Sequence, residues 1–247
     1  MSESIALAAL TFVVSLIYSS VGHGGASGYL ALLSFFAISH QQMASSALCL
    51  NLLVAGTAFW AFYQAAHFSW KLTWPFTVAS VPFAFIGGLV KISPKVYSLL
   101  LAIVLIFAAL RLLFQLNKNN FQTGETPPIV ISIVIGGFIG ILSGIVGVGG
   151  GIFLSPLLLL FNWADPKKTA ATSAFFILVN SMAGLAGRLA RHGFELTPVL
   201  AYMVFSAFIG GIIGSRLGAN HFSGKWLRVI LAGVLLLAVF KLLRTVV

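Results

Sequence analysis

The chain has 247 residues and a formal net charge of +10, and it is 60% hydrophobic but only 7% charged. Soluble domains carry close to a quarter charged residues, so this composition excludes a soluble globule; its apolar runs are continuous rather than alternating, which excludes a membrane β-barrel. Lys and Arg fall in short loops and at segment ends, as topology-setting charges do, and no nucleic-acid partner is expected.

In chain order, a first membrane repeat is expected over 1–116, with apolar segments near 4–20, 26–38, 43–66, 72–91 and 95–116. The N-terminal run has no basic flank and carries Glu3, so it is expected to be retained rather than cleaved. Between its first two segments lies Val21-Gly22-His23-Gly24-Gly25-Ala26. Residues 117–128, with Asn119, Gly124, Pro127 and Pro128, read as a linker. A second repeat is expected over 129–247, with segments near 128–143, 152–162, 168–188, 196–216 and 224–244. Its cluster Val146-Gly147-Val148-Gly149-Gly150-Gly151 follows the first at a distance of 125 residues.

Other matches keep the same order. Ala44-Ser45-Ser46-Ala47 corresponds to Ala171-Thr172-Ser173-Ala174, and Ile86-Gly87-Gly88 to Ile209-Gly210-Gly211. A pair of glycine-interrupted apolar segments at matching places is the mark of a transporter built from two repeats. The expected fold is therefore an all-α integral membrane protein of two homologous, inverted repeats. In each, a glycine-broken pair, either re-entrant or two short helices, precedes three transmembrane helices. With an odd number of crossings per half, Lys and Arg divide six to eight between the two sides, a weak bias that inverted repeats tolerate.

The four acidic residues Glu3, Glu125, Asp165 and Glu195 all lie at the terminus, the linker or loop edges. A cation carrier commonly offers a membrane carboxylate; this chain offers none, which favours an anionic or neutral substrate. Glycine lets the backbone leave helical geometry without a Cβ penalty, and a helix restarting after it presents N–H groups and a positive dipole end to an anion. Gly22, Gly24, Gly25 and Ser27, with Gly147, Gly149, Gly150 and Gly151, are thus candidate substrate contacts, weighed against a role in tight helix packing. His23, where the second cluster has Val148, is a candidate anion ligand or proton carrier; a structural histidine bonded to a carbonyl is the alternative. Ser46, Asn51, Thr172, Ser173 and Asn180 either complete a polar pocket or bond between helices. Arg188 is a candidate electrostatic guide, or it snorkels to the interface. The single Cys49 and scattered His give no metal spacing, and no Lys-Ser/Thr follows the glycines as in a phosphate loop. Neither enzymatic activity nor a cofactor is expected.

The run from Gly144 through Gly147, Gly149, Gly150 and Gly151 to Ser155-Pro156, followed by Ala170-Ala171-Thr172-Ser173, resembles the signature of the TauE/SafE sulfite-exporter family. Ser20, Gly22, Gly24 and Gly25 carry a degenerate first copy. The resemblance covers nearly the whole chain. It implies a multi-pass permease of the bacterial inner membrane that moves sulfite, thiosulfate or an organosulfonate, with export favoured and protons as a possible partner. A passive anion channel and an uptake permease for another small anion are the alternatives. His23 departs from the small or apolar residue of the family pattern, and Ala31 stands where the second half has Pro156.

Overall fold

The computed structural model describes residues 2–35, 40–114, 126–192, 198–220, 236, 239 and 240. Within them the helices are α1 (Ser2–Ser19), α2 (Ala26–Ser34), α3 (His40–Gln64), α4 (Trp70–Leu89), α5 (Pro94–Phe114), α6 (Ile129–Val146), α7 (Gly151–Leu160), α8 (Pro166–His192) and α9 (Pro198–Asn220). All of the expected segment 224–244 but residues 236, 239 and 240, and most of the linker 117–128, lie outside the described residues, as do Glu125 and Glu195. Five helices, α3, α4, α6, α8 and α9, are long and apolar enough to cross a membrane. The protein is an all-α, multi-pass membrane protein.

Local chemistry explains how polar residues sit in apolar helices. The hydroxyls of Ser15, Ser20, Thr57 and Thr73 donate to carbonyls three or four residues back, at 2.7–2.9 Å, so each is satisfied within its own helix. Asp165 caps α8: its Oδ1 accepts the backbone N–H of Lys167 and Lys168, both at 2.9 Å. Pro166 then occupies the first helical position, where a missing N–H costs nothing.

The glycine-broken pair of each half is a longer helix followed by a short one. α1 and α6 have 18 residues each, about 27 Å. α2 and α7 have 9 and 10, about 14 Å and half the hydrocarbon thickness of roughly 30 Å. α6 runs past the expected boundary at 143, with Gly144, Ile145 and Val146 still helical. α2 folds back along α1: Gly28 faces Val14 and Tyr18, and the Tyr18 hydroxyl lies 2.8 Å from Ser27 Oγ.

The contacts between helices pair off when α1–α4 are exchanged with α6–α9. α4 packs on α6 as α9 packs on α1; α4 packs on α8 as α9 packs on α3; α2 packs on α3 as α7 packs on α8; α3 and α8 meet at the centre. The exchange extends to residues: Gly88 lies against Gly184 of α8, and Gly211 against Thr57 of α3. Two glycine stripes make the closest approaches. Gly136, Gly140 and Gly144 of α6 sit on the carbonyls of Phe76, Ser80 and Ala84, and Gly214 and Gly218 of α9 sit on those of Leu16 and Ser20. Any Cβ there would strike backbone, so the close packing of these helix pairs is written into the glycines.

Candidate functional site

Both glycine clusters form tight non-helical turns. Gly22 and Gly25 have φ of +73° and +93°; Gly147, Gly149 and Gly150 have +88°, +73° and +80°. These are left-handed conformations that residues with a Cβ resist. α6 terminates on Gly147, whose N–H donates to Ser143 O at 2.8 Å. New helices then start at Ala26 and Gly151, each capped by a left-handed glycine. The first full helical bonds are Tyr29 N–H to Gly25 O at 3.0 Å and Leu154 N–H to Gly150 O at 3.2 Å. The N–H groups of Ala26, Ser27 and Gly28, and of Gly151 and Ile152, precede those ladders and are the orphan donors of a helix start.

The two turns are held by the opposite halves. Gly22, in the first, lies on the backbone of Ala170 at the start of α8; Gly147, in the second, lies on Ala44 near the start of α3. The serine- and threonine-bearing motifs that follow the turns therefore pack crosswise. Between the turns stands Asn51. Gly24 abuts its Oδ1, and a Cβ on Gly149 would fall 2.6 Å from its Nδ2. Asn51 Nδ2 donates to Ser181 Oγ at 3.3 Å, while Oδ1 is buried without a hydrogen-bond partner. Ile177 completes this wall, in contact with Gly24, Gly149 and Gly151. A cavity opens beside it, lined by Tyr18, His23, Gly24, Gly25, Ala26 and Ser27 of the first turn with Val148, Ile152 and Ile177. Its volume is about 10 Å³, room for about one water.

His23 is 5% exposed and joins the two halves. Its Nδ1 lies 2.9 Å from Val21 O, and its Nε2 lies 3.1 Å from Ser155 Oγ on α7. A carbonyl only accepts, so Nδ1 carries the hydrogen, and in the neutral ring Nε2 accepts from the Ser155 hydroxyl. Ser155 also lies 2.6 Å from Ser173 Oγ and 2.8 Å from Gly151 O. If the ring gains a proton, Nε2 becomes the donor and the Ser155 hydroxyl turns to Gly151 O. The chain His23–Ser155–Ser173 thus serves both charge states without losing a bond.

Of the residues expected from the sequence, His23, Gly24, Gly25 and Ser27 line the cavity; Asn51, Gly149 and Gly151 lie outside that lining, Asn51 against Gly24 and Gly149, and both glycines against Ile177. Gly22 and Gly147 seat the turns on the opposite half, and Gly150 packs on Ile139 and Phe176. Ser173 reaches His23 only through Ser155. Thr172 instead bonds Thr73 of α4 at 3.3 Å, Asn180 Nδ2 bonds Phe176 O of its own helix at 2.8 Å, and Ser46 is only partly buried, outside the cavity lining. Arg188 bonds within the protein: its Nη2 donates to Gly144 O at 3.0 Å and to Ile145 O, while the Tyr97 hydroxyl donates to Val146 O at 3.1 Å. Together they cap the negative end of α6 immediately before the second turn. Lys167 does the same for α9, donating to Gly218 O and Ala219 O at 2.7 and 2.6 Å, and Arg191 for α4 at Leu89 O. The sequence reading did not assign Ser155, Tyr18, Ser181 or Ile177. Only Ser155 carried a signal, one helical turn after Gly151.

The sequence model described as sulfite exporter TauE/SafE matches residues 7–242. The chain belongs to the TauE/SafE family. Among its TauE/SafE relatives is a probable membrane transporter protein, y4hK, of Sinorhizobium fredii, 35% identical over 98% of this chain and 99% of that protein. The probable membrane transporter protein YunE of Bacillus subtilis is 25% identical over 86% of this chain and 88% of its own length. The sulfite exporter TauE/SafE family protein 2 of Arabidopsis thaliana is 35% identical over 31% of this chain and 16% of its own. No solved structure matches the chain. As a TauE/SafE protein the chain is a membrane transporter and not an enzyme.

Proposed function

We propose that the protein is a secondary transporter that moves a small sulfur-containing anion, such as sulfite, thiosulfate or an organosulfonate, outward across a bacterial inner membrane. The two halves, 1–116 and 129–247, are inverted repeats, and the exchange of contacts between α1–α4 and α6–α9 supports that arrangement. The anion binds between the two glycine turns beside Asn51. There the helix starts at Ala26 and Gly151, the hydroxyls of Ser27 and Tyr18, and the Asn51 amide replace its hydration. The carrying observation is that both turns converge on one buried amide. Among the described side chains the sole carboxylate, Asp165, is engaged in capping α8, so it does not oppose an anion at the turns.

The cavity admits about one water, so an anion enters only when the halves part. That favours a carrier that rocks over a standing channel. His23 carries the coupled proton, because its bonds to Val21 and Ser155 accommodate either charge state. The experiment is counterflow of labelled sulfite into liposomes holding the purified protein. Asn51→Leu keeps the volume and removes the amide; it is expected to cut flux at least about tenfold, the equivalent of one lost hydrogen bond to a charged group, without loss of folded protein. His23→Gln is expected to abolish the response of flux to a pH gradient. Normal flux in Asn51→Leu would remove the site, and an intact gradient response in His23→Gln would remove the proton role.

A further inference from the structure

The reading above leaves the charge of the anion open, and the site bears on it. We propose that the cavity accepts its substrate only as a singly charged anion; this rests on the proposed transport reading and narrows it. The described lining contains no Lys, Arg, Asp or Glu. Among the described residues, three cations are committed elsewhere: Arg188 to the carbonyls ending α6, Lys167 to those ending α9, and Arg191 to Leu89 O. With the His23 ring neutral, what faces the cavity is uncharged, backbone N–H groups and hydroxyls, and the charge rule holds for that state. The Asn51 carboxamide lies beside the lining, against Gly24. His23 is held at both ring nitrogens by uncharged partners, Val21 O and Ser155 Oγ.

The cost of taking an ion out of water grows with the square of its charge, so a dianion loses about four times the hydration energy of a monoanion. Hydrogen bonds from fixed neutral dipoles return only about twice as much, because their attraction grows linearly with charge. A site of this composition therefore works against a dianion. Asn51 supplies the second observation that a ligand is meant to sit here. It is 1% exposed, and its Oδ1 is unpartnered against the turn at Gly24. Half a rotation of the amide lets Oδ1 accept from the Ser181 hydroxyl and turns Nδ2 toward the anion, one more neutral donor.

The site is also single. The positions that correspond to His23, Ser155 and Asn51 under the repeat are Val148, Leu30 and Leu178. Val148 and Leu30 belong to one apolar core cluster. The polar side chains gather at one cavity and are not repeated at the corresponding positions, so one anion is bound at a time.

Methanesulfonate and sulfate test this, being close in size and shape but differing in charge. Binding of each to the purified full-length protein is measured by calorimetry at about pH 8, with labelled-sulfite counterflow alongside at about pH 6, where singly charged hydrogensulfite predominates. Methanesulfonate is expected to bind and to inhibit sulfite counterflow, with sulfate at least about tenfold weaker in both. Asn51→Asp, which sets a carboxylate between the turns, is expected to lose methanesulfonate binding per folded molecule and to lower the melting temperature, as an unpaired buried charge does. Sulfate binding as tightly as methanesulfonate would overturn the charge rule and leave the anion site standing. Sulfite counterflow inhibited by neither anion would also overturn the rule. If no anion binds and no sulfite exchanges, the transport reading fails with it.

Discussion

Gly24→Ala separates the chemistry of the site from the stability of the fold. Gly24 is absent from the positive-φ residues, so alanine fits its backbone without left-handed strain. The added Cβ meets only side chains: Asn51 Oδ1, Asn51 Cγ at 2.8 Å and Ile177 Cγ2 at 3.1 Å. Overpacking of this kind costs about 1–3 kcal/mol, relieved by swinging the Asn51 amide away from the first turn. Gly22→Ala is the contrast. Its φ is +73°, and its Cβ would lie 2.5 and 2.6 Å from the Cα and C of Ala170, backbone that no rotamer change can move. Left-handed geometry adds about 1–2 kcal/mol to the overpacking. The total is then about 2–5 kcal/mol, a large share of a net stability of about 5–15. Measured as sulfite counterflow per folded molecule beside thermal unfolding in detergent, Gly24→Ala is expected to keep most of its folded yield and lose flux at least about tenfold. Gly22→Ala is expected to lose folded protein. Wild-type flux in Gly24→Ala, with the alanine confirmed, would refute the placement of the anion beside Asn51.

Arg188→Leu removes the cap on Gly144 O and Ile145 O and is expected to destabilise the protein by about 1.5–3 kcal/mol, read as a lower melting temperature; an unchanged melt would show that the α6 carbonyls need no cap. Asp165→Ala removes the N-cap of α8 at a cost of about 1 kcal/mol, with flux per folded molecule unchanged, since the residue is far in role from the turns; lost flux at full folding would contradict that. Ser155→Ala breaks the link from His23 to Ser173 and is expected to weaken the response of flux to a pH gradient as His23→Gln does. A full response in that variant would detach the serine chain from proton movement.

The break points of the fold were legible because glycine clusters are local signals: helices do restart at Ala26 and Gly151. The ordered matches Ile86-Gly87-Gly88 and Ile209-Gly210-Gly211 occupy exchanged places in the packing, Gly88 against Gly184 and Gly211 against Thr57. What the sequence hid is which residues meet. Apolar helices give no amphipathic face to read in a membrane, so nothing marked Ser181 as the partner of Asn51, 130 residues away, or Ser155 as that of His23, at 132. The crosswise seating of Gly22 on Ala170 and Gly147 on Ala44 belongs to the tertiary packing alone. Arg188 misled for a related reason: a cation at the end of an apolar run looks like an interfacial anchor, whereas here another helix ends within its reach. Asn180 and Thr172 carry the same amide and hydroxyl groups as Asn51 and Ser173 yet bond Phe176 O and Thr73, which functional group alone does not distinguish.

The most direct test is to locate a bound anion. Bromate is pyramidal like sulfite, carries one charge, and contains an anomalous scatterer. A crystal structure of the protein soaked with bromate is predicted to show one anomalous peak between Gly24 and Gly149, within hydrogen-bond distance of the Asn51 amide and the N–H groups that open α2. A peak elsewhere in the membrane-spanning region, with none between the turns, would contradict the account.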